Sequence, residues 1–175
     1  MALKLCLGLL LGVSTITSSS AAKVGLPKSR YLLQFDGGSR GNPGRGGAGA
    51  VIYDISKARE EIWSSFWYLG EVTNNQAEYT GLIKGLQHSL KNDLYPLEVE
   101  GDSQLVLFQC MGKYKCQSEN LKALNKMATK LLAQYPKEYQ PSLSHIPRQE
   151  NARADELSNA AMDAGQILEK EKTKE

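Results

Sequence analysis

The segment Tyr31-Leu32-Leu33-Gln34-Phe35-Asp36-Gly37-Gly38 constrains the chain most tightly. Alternation with period two puts Tyr31, Leu33 and Phe35 on one face of a strand and Leu32, Gln34 and Asp36 on the other. An aspartate at the end of an apolar strand, facing a glycine-rich turn, is poor turn filler but a good metal ligand. The turn carries Arg40, Asn42, Pro43 and Arg45 and leads to a second strand, Gly47–Asp54. It contains no Gly-Lys-Ser/Thr and precedes a strand instead of a helix, which excludes a P-loop phosphate cradle.

Glu60 to Leu69 reads as a third strand, so short turns join three strands into an antiparallel meander. Alanine and glycine in the second strand imply that something packs closely on it. The period then changes. Thr73 or Asn74 offers an N-cap, and Leu82, Ile83, Leu86 and Leu90 carry a helix to about Lys91. Ala77, Gly81 and Gly85 recur every four residues as a flat stripe for close approach to a sheet. Glu78 shares a side of that helix with Leu82, Gly85 and Leu86, and a carboxylate leaning inward needs a partner.

Pro96–Ser103 is a fourth strand that again ends in an aspartate, Asp102, before a small residue. Helices over Gln104–Met111 and Ser118–Gln134 follow, interrupted at Gly112–Lys115. A last strand spans Tyr139–Ile146, Pro147–Asn151 turns, and a final helix covers Ala152–Ala164. Strand–helix–strand links favour right-handed parallel crossovers. The expected architecture is α/β: a five-stranded mixed sheet, three antiparallel strands and then two parallel ones, flanked by helices.

At 175 residues, with net charge +2, the chain suits one domain and does not announce a nucleic-acid binder by composition, so any basic surface has to be local. Residues 1–30 read separately: Lys4 precedes the apolar run Leu5–Val13, hydroxyl-rich Ser14–Ser20 follows, and the first acid of the chain is Asp36. These are features of a targeting leader, for an organelle or the secretory route, with a disordered tail as the alternative. Without a leader the place would be cytosol or nucleus. The run is too short to span a bilayer, so no membrane attachment is expected of the mature form. Gly165–Glu175 reads as a charged, frayed tail, which leaves 31–164 as the domain. Cys6, Cys110 and Cys116 lack zinc-ligand spacing and read as free thiols, with a Cys110–Cys116 pair as the alternative for a secreted chain.

Four acids fall at element ends: Asp36, Glu78, Asp102 and Asp155, the last early in the final helix. Strand ends in α/β sheets gather sites at one edge. Clustered carboxylates raise one another's pKa and need countercharge, which hard divalent cations supply through oxygen ligands. Two such ions about 3.5–4 Å apart support phosphodiester cleavage. Helix-dipole and turn roles compete with this reading for any one acid, least of all for Asp36 and Asp102.

Phe35–Gly44 with Gly47-Ala48-Gly49, Thr73–Glu78, Gly101-Asp102-Ser103 and Glu150–Asp155 together resemble a type 1 ribonuclease H, in order across about residues 31–163. The resemblance implies a metal-dependent endonuclease that hydrolyses the RNA strand of RNA–DNA hybrids, leaving 5′-phosphate and 3′-hydroxyl ends. Asp36, Glu78, Asp102 and Asp155 match the family's ligands for two Mg²⁺ ions, with Mn²⁺ as a possible substitute. Asn74 and Asn75 match its minor-groove readers, Thr73 a residue on a DNA-strand phosphate, and Gly37-Gly38 a backbone close to the RNA. Arg148 stands where bacterial members carry a histidine; it cannot shuttle protons at neutral pH but can bind phosphate. The family's basic protrusion is missing, since Gly112-Lys113-Tyr114-Lys115 is too short to replace it. A monomer with no obligate protein partner is expected. The alternatives are a non-catalytic binding domain of this fold, or a superfamily nuclease with another nucleic-acid substrate.

Overall fold

The computed structural model describes residues 30–172, with side chains described as far as residue 167. The expected leader therefore lies outside the described residues. In chain order the elements are β1 (Tyr31–Gly41), β2 (Gly44–Asp54), β3 (Glu60–Val72), α1 (Asn74–Lys91), β4 (Leu97–Gly101), α2 (Gln104–Cys110), α3 (Glu119–Leu132), β5 (Ser142–His145) and α4 (Ala152–Lys172). Short 3₁₀ turns at Lys137–Tyr139 and Arg148–Asn151 precede β5 and α4.

The sheet runs β3-β2-β1-β4-β5. β1 pairs antiparallel with β2, and β2 with β3, while β4 lies parallel to both β1 and β5. The mixed five-stranded sheet is thus as expected. Its two faces follow the alternation in β1. Leu33 and Phe35 join Ile52, Tyr79, Leu82, Leu86, Val99 and Leu121 in the main core, under α1 and α3. On the opposite face Val51 packs against Ala154 and Leu157 of α4.

Small residues set the spacing of these layers. A Cβ at Gly81 would lie 2.6 Å from the Asp36 carbonyl oxygen, and one at Gly49 2.6 Å from the Ala154 carbonyl oxygen. Helix α1 therefore seats directly on the end of β1, and α4 on β2. Glycine inside a helix costs about 1 kcal/mol against alanine, and here close packing is the compensation.

Three expectations are corrected. The glycine-rich segment after Asp36 is strand, because Gly37–Gly41 pairs in register with Gly44–Ala48 and only Asn42-Pro43 turns. The last strand is shorter than Tyr139–Ile146, since Lys137–Tyr139 coils as a 3₁₀ turn. The last helix continues beyond Ala164 to Lys172, so the expected boundary at 164 falls within it. Gly165 does not stop α4: it is buried, and its missing side chain makes room for the Tyr68 ring. Cys110 and Cys116 are free thiols. No helix among the described residues is long and apolar enough to cross a membrane.

Candidate active site and metal centre

The parallel register of β1 and β4 creates the site. Gln34 lies opposite Glu100, so Asp36 and Asp102, each two residues further, reach the same level on the same side. Asp36 is 5% exposed. Asp102 follows the last residue of β4 directly. Glu78 enters from the start of α1, whose N-terminus is fixed by a capping box: the Thr73 hydroxyl accepts from the Gln76 amide, and the Gln76 side chain accepts from the Thr73 amide at 2.9 Å. One carboxylate oxygen from each of Asp36, Glu78 and Asp102 lies within 4.8 Å of the others.

Two residues that sequence reasoning missed hold this group in place. Asn151 is fully buried, and its side-chain amide donates to the Phe35 carbonyl and to Asp102 Oδ1, both at 2.8 Å. The Ser158 hydroxyl donates to Asp36 Oδ2. Asn151 lies within the quoted Glu150–Asp155 motif, and Ser158 stands three residues past Asp155 on α4, so proximity to the motif was the available signal.

The electrostatics are those of a site short of positive charge. Burial raises the Asp36 pKa, opposed by the Ser158 hydroxyl and reinforced by Asp102 and Asp155. Glu78 is raised well above the usual glutamate value, first by burial and then by Asp36 and Asp102, with Arg148 opposing. Its Oε2 atom is buried without a hydrogen-bond partner. A buried carboxylate oxygen left bare beside two other carboxylates fits a hard divalent cation, since all three donors are oxygens.

Asp155 is not part of this group of three. Its Oδ1 is ion-paired with Arg148 and its Oδ2 accepts from Asn159 Nδ2 at 3.0 Å. It is nevertheless near enough to push the Asp36 pKa upward. Arg148 is mostly exposed, and it is engaged with a carboxylate. His145 Nε2 lies 3.2 Å from the Asp102 backbone oxygen, at the end of β5.

The expected substrate contacts divide. Thr73 and Asn75 line a groove of about 420 Å³ with Asn42, Lys115 and Asn120. Asn74 is exposed, and its backbone amide donates to Asn42 Oδ1 at 3.2 Å, tying α1 to the β1–β2 turn. Gly38 is half-buried, and a Cβ there would press to 3.3 Å on the flexible end of Met162. Gly37 is buried, and a side chain there would collide with the Ala77–Glu78 backbone. Glycine at 37 therefore serves the seat of α1, a reason different from the one expected.

An α/β sheet of this order, with carboxylates at the adjacent ends of β1 and β4 and a third from α1, defines a ribonuclease H-like domain. Residues 34–161 match the model of the family described as Reverse transcriptase-like. The bifunctional protein Rv2228c of Mycobacterium tuberculosis is 38% identical over 135 residues, covering 77% of this chain and 36% of that protein. The chain thus spans about a third of that relative's length. The solved N-terminal RNase H domain of Rv2228c superposes with a TM-score of 0.74 at 36% identity, over 80% of this chain and 98% of the other. A ribonuclease H of Hydrogenovibrio crunogenus is 34% identical over 142 residues, covering 75% of this chain and 94% of its own. LC11-RNase H1 from compost, solved with an RNA/DNA hybrid, gives a TM-score of 0.70 at 36% identity over 78% of this chain and 99% of that one. The chain belongs to the type 1 ribonuclease H family of the ribonuclease H-like superfamily.

Proposed function

We propose that the chain is a metal-dependent endoribonuclease that hydrolyses the RNA strand of RNA–DNA hybrids, leaving 5′-phosphate and 3′-hydroxyl ends. The observation that carries this reading is the convergence of Asp36, Glu78 and Asp102 within 4.8 Å, with Glu78 Oε2 buried and bare. These three would hold Mg²⁺, with Asp155 completing a pair of sites and Mn²⁺ as an alternative ion. When bound, two such ions supply a water activated for attack and charge stabilisation for the leaving oxygen.

The chain's own residues do the rest. Asn151 and Ser158 fix the aspartate rotamers by donating to Asp102 and Asp36. That leaves their remaining oxygens for metal, as hydrogen-bonded outer residues do at metal sites generally. Arg148 keeps a protonated guanidinium at the mouth of the site, where it can hold a phosphate oxygen but cannot move a proton. An RNA–DNA duplex displays 2′-hydroxyls in a shallow minor groove, within reach of short amides such as those of Asn74 and Asn75. Thr73, which lines the groove beside them, would take a phosphate of the DNA strand.

The test compares wild type with Asp102→Asn on RNA–DNA hybrid, double-stranded RNA and double-stranded DNA, with and without Mg²⁺. Wild type should cut hybrid alone and only with metal. The variant should lose at least about 100-fold, since even residues supporting a metal ligand are worth 10–100-fold. Equal cutting by the variant, or an intact hybrid with wild type, would sink the proposal.

A further inference from the structure

The net charge of +2 conceals two stretches that carry charge of one sign. Positions 79–92 and 120–137 contain no Asp or Glu, yet they hold Lys84, Lys91, Lys122, Lys126, Lys130 and Lys137. On α1, Lys84, Gln87 and Lys91 recur at i, i+3 and i+7, along one side of the helix. On α3, Lys122, Lys126 and Lys130 recur every four residues, each about 6 Å along the axis from the next. All five of these helix lysines are exposed. Lys122 pairs with Glu119, whereas Lys84, Lys91, Lys126 and Lys130 form no ion pair among the described residues.

The two helices run in the same direction side by side. Asn125 Nδ2 donates to the Tyr79 hydroxyl at 3.0 Å near their starts, and the Tyr135 hydroxyl reaches the Leu86 carbonyl at 3.5 Å further on. Between them lies a groove of about 370 Å³, lined by Gln87, Lys126, Met127, Lys130 and Leu131. A second groove, lined by Thr73 and Asn75 at the start of α1 and by Asn120 and Leu121 at the start of α3, lies at the helix starts. The lysines thus follow the helix pair away from the end of α1 that carries Glu78. The link between α2 and α3 contributes only Lys113 and Lys115, so positive charge for a long duplex has to come from elsewhere.

We propose that this α1–α3 face docks the phosphate backbone of the substrate's duplex flank, beyond the stretch seated over the carboxylates. The inference rests on reading the chain as an enzyme of RNA–DNA hybrids. Charge complementarity selects the occupant: phosphates recur every 3.4 Å or so of axis along each strand, and four unpaired lysines meet several of them at once. Nothing here reads bases, so the contact raises affinity without sequence preference.

The experiment measures binding of labelled short and long RNA–DNA hybrids by fluorescence anisotropy, in EDTA so that nothing is cut, across a salt series. The variant replaces Lys84, Lys91, Lys126 and Lys130 by Gln, and a companion replaces them by Arg. On the long hybrid the slope of log affinity against log salt should fall by about 3.6, at roughly 0.9 per lost contact. It should hold on the short hybrid, and arginine should restore it. An unchanged slope on the long hybrid, or an equal fall on both lengths, overturns the inference. So does competition by an acidic peptide at the four lysines with hybrid binding unaffected. Cleavage assayed in parallel with Mg²⁺ separates the two readings: wild type that binds with the expected slopes but cuts no hybrid defeats the hydrolase proposal alone.

Discussion

Glu78→Gln should make the metal-free protein more stable at neutral pH. Glu78 is 6% exposed and faces Asp36 and Asp102, with ligand oxygens within 4.8 Å. Two like charges at 4.8 Å, in an effective dielectric near 20, repel by about 3 kcal/mol. The side chain avoids much of that cost by keeping its proton, so the recoverable part is smaller, about 2 kcal/mol. Glutamine has nearly the same shape, carries no charge, and its amide can donate to the neighbouring carboxylates. The expected gain is about 4–8 °C in Tm. The sign follows from linkage. A carboxyl whose folded pKa is raised favours folding below its unfolded value, near 4.5, and that contribution is lost as pH climbs through the folded pKa. The advantage of glutamine should therefore vanish below about pH 4 and grow through neutrality. Saturating Mg²⁺ reverses the order: an ion at 100 times its Kd adds about 2.7 kcal/mol to wild type and less to a variant lacking a charged ligand. Differential scanning calorimetry across pH, with EDTA and with Mg²⁺, reads all three effects. A lower Tm for the variant in EDTA at neutral pH, or an undiminished gain in acid, would refute the reasoning.

Asn151→Ala should destabilise by about 1–3 kcal/mol, because it strips the donor from the buried Phe35 carbonyl. It should also weaken metal binding by 10–100-fold through Asp102, read by calorimetric titration at a temperature where the variant stays folded. Gly81→Ala pits two effects against each other. Helix propensity favours alanine by about 1 kcal/mol, but its Cβ would sit 2.6 Å from the Asp36 carbonyl oxygen and 2.9 Å from that of Gly49. Overpacking at a backbone contact costs about 1–3 kcal/mol, so urea unfolding should show net destabilisation, and a net gain would show that α1 is free to lift off β1.

What the sequence made legible were features with short-range signatures. Period two placed Asp36 opposite Leu33 and Phe35, and the structure divides β1 between its two packing layers in that way. Period 3.6 turned Glu78 inward with Leu82 and Leu86, and all three are buried. The same local logic erred at glycines, which carry no pattern of their own. Gly38–Gly41 looks like a turn until its partner strand is known, and Gly165 looks like a helix stop until Tyr68 is found against it. Asn151 to Asp102 and Ser158 to Asp36 join residues 49 and 122 positions apart, a separation at which no periodicity speaks. The engagement of Asp155 by Arg148 is likewise a matter of side-chain geometry, which leaves Asp155 outside the cluster of three.

The alignment of Gln34 with Glu100 has a further consequence. Sliding β4 by one residue against β1 would turn Asp102 to the opposite side of the sheet and send its inward-facing valine, Val99, to the wrong layer. The carboxylate cluster and hydrophobic burial therefore share a single parity. A chain threaded one residue out of register loses its core and its carboxylate cluster together.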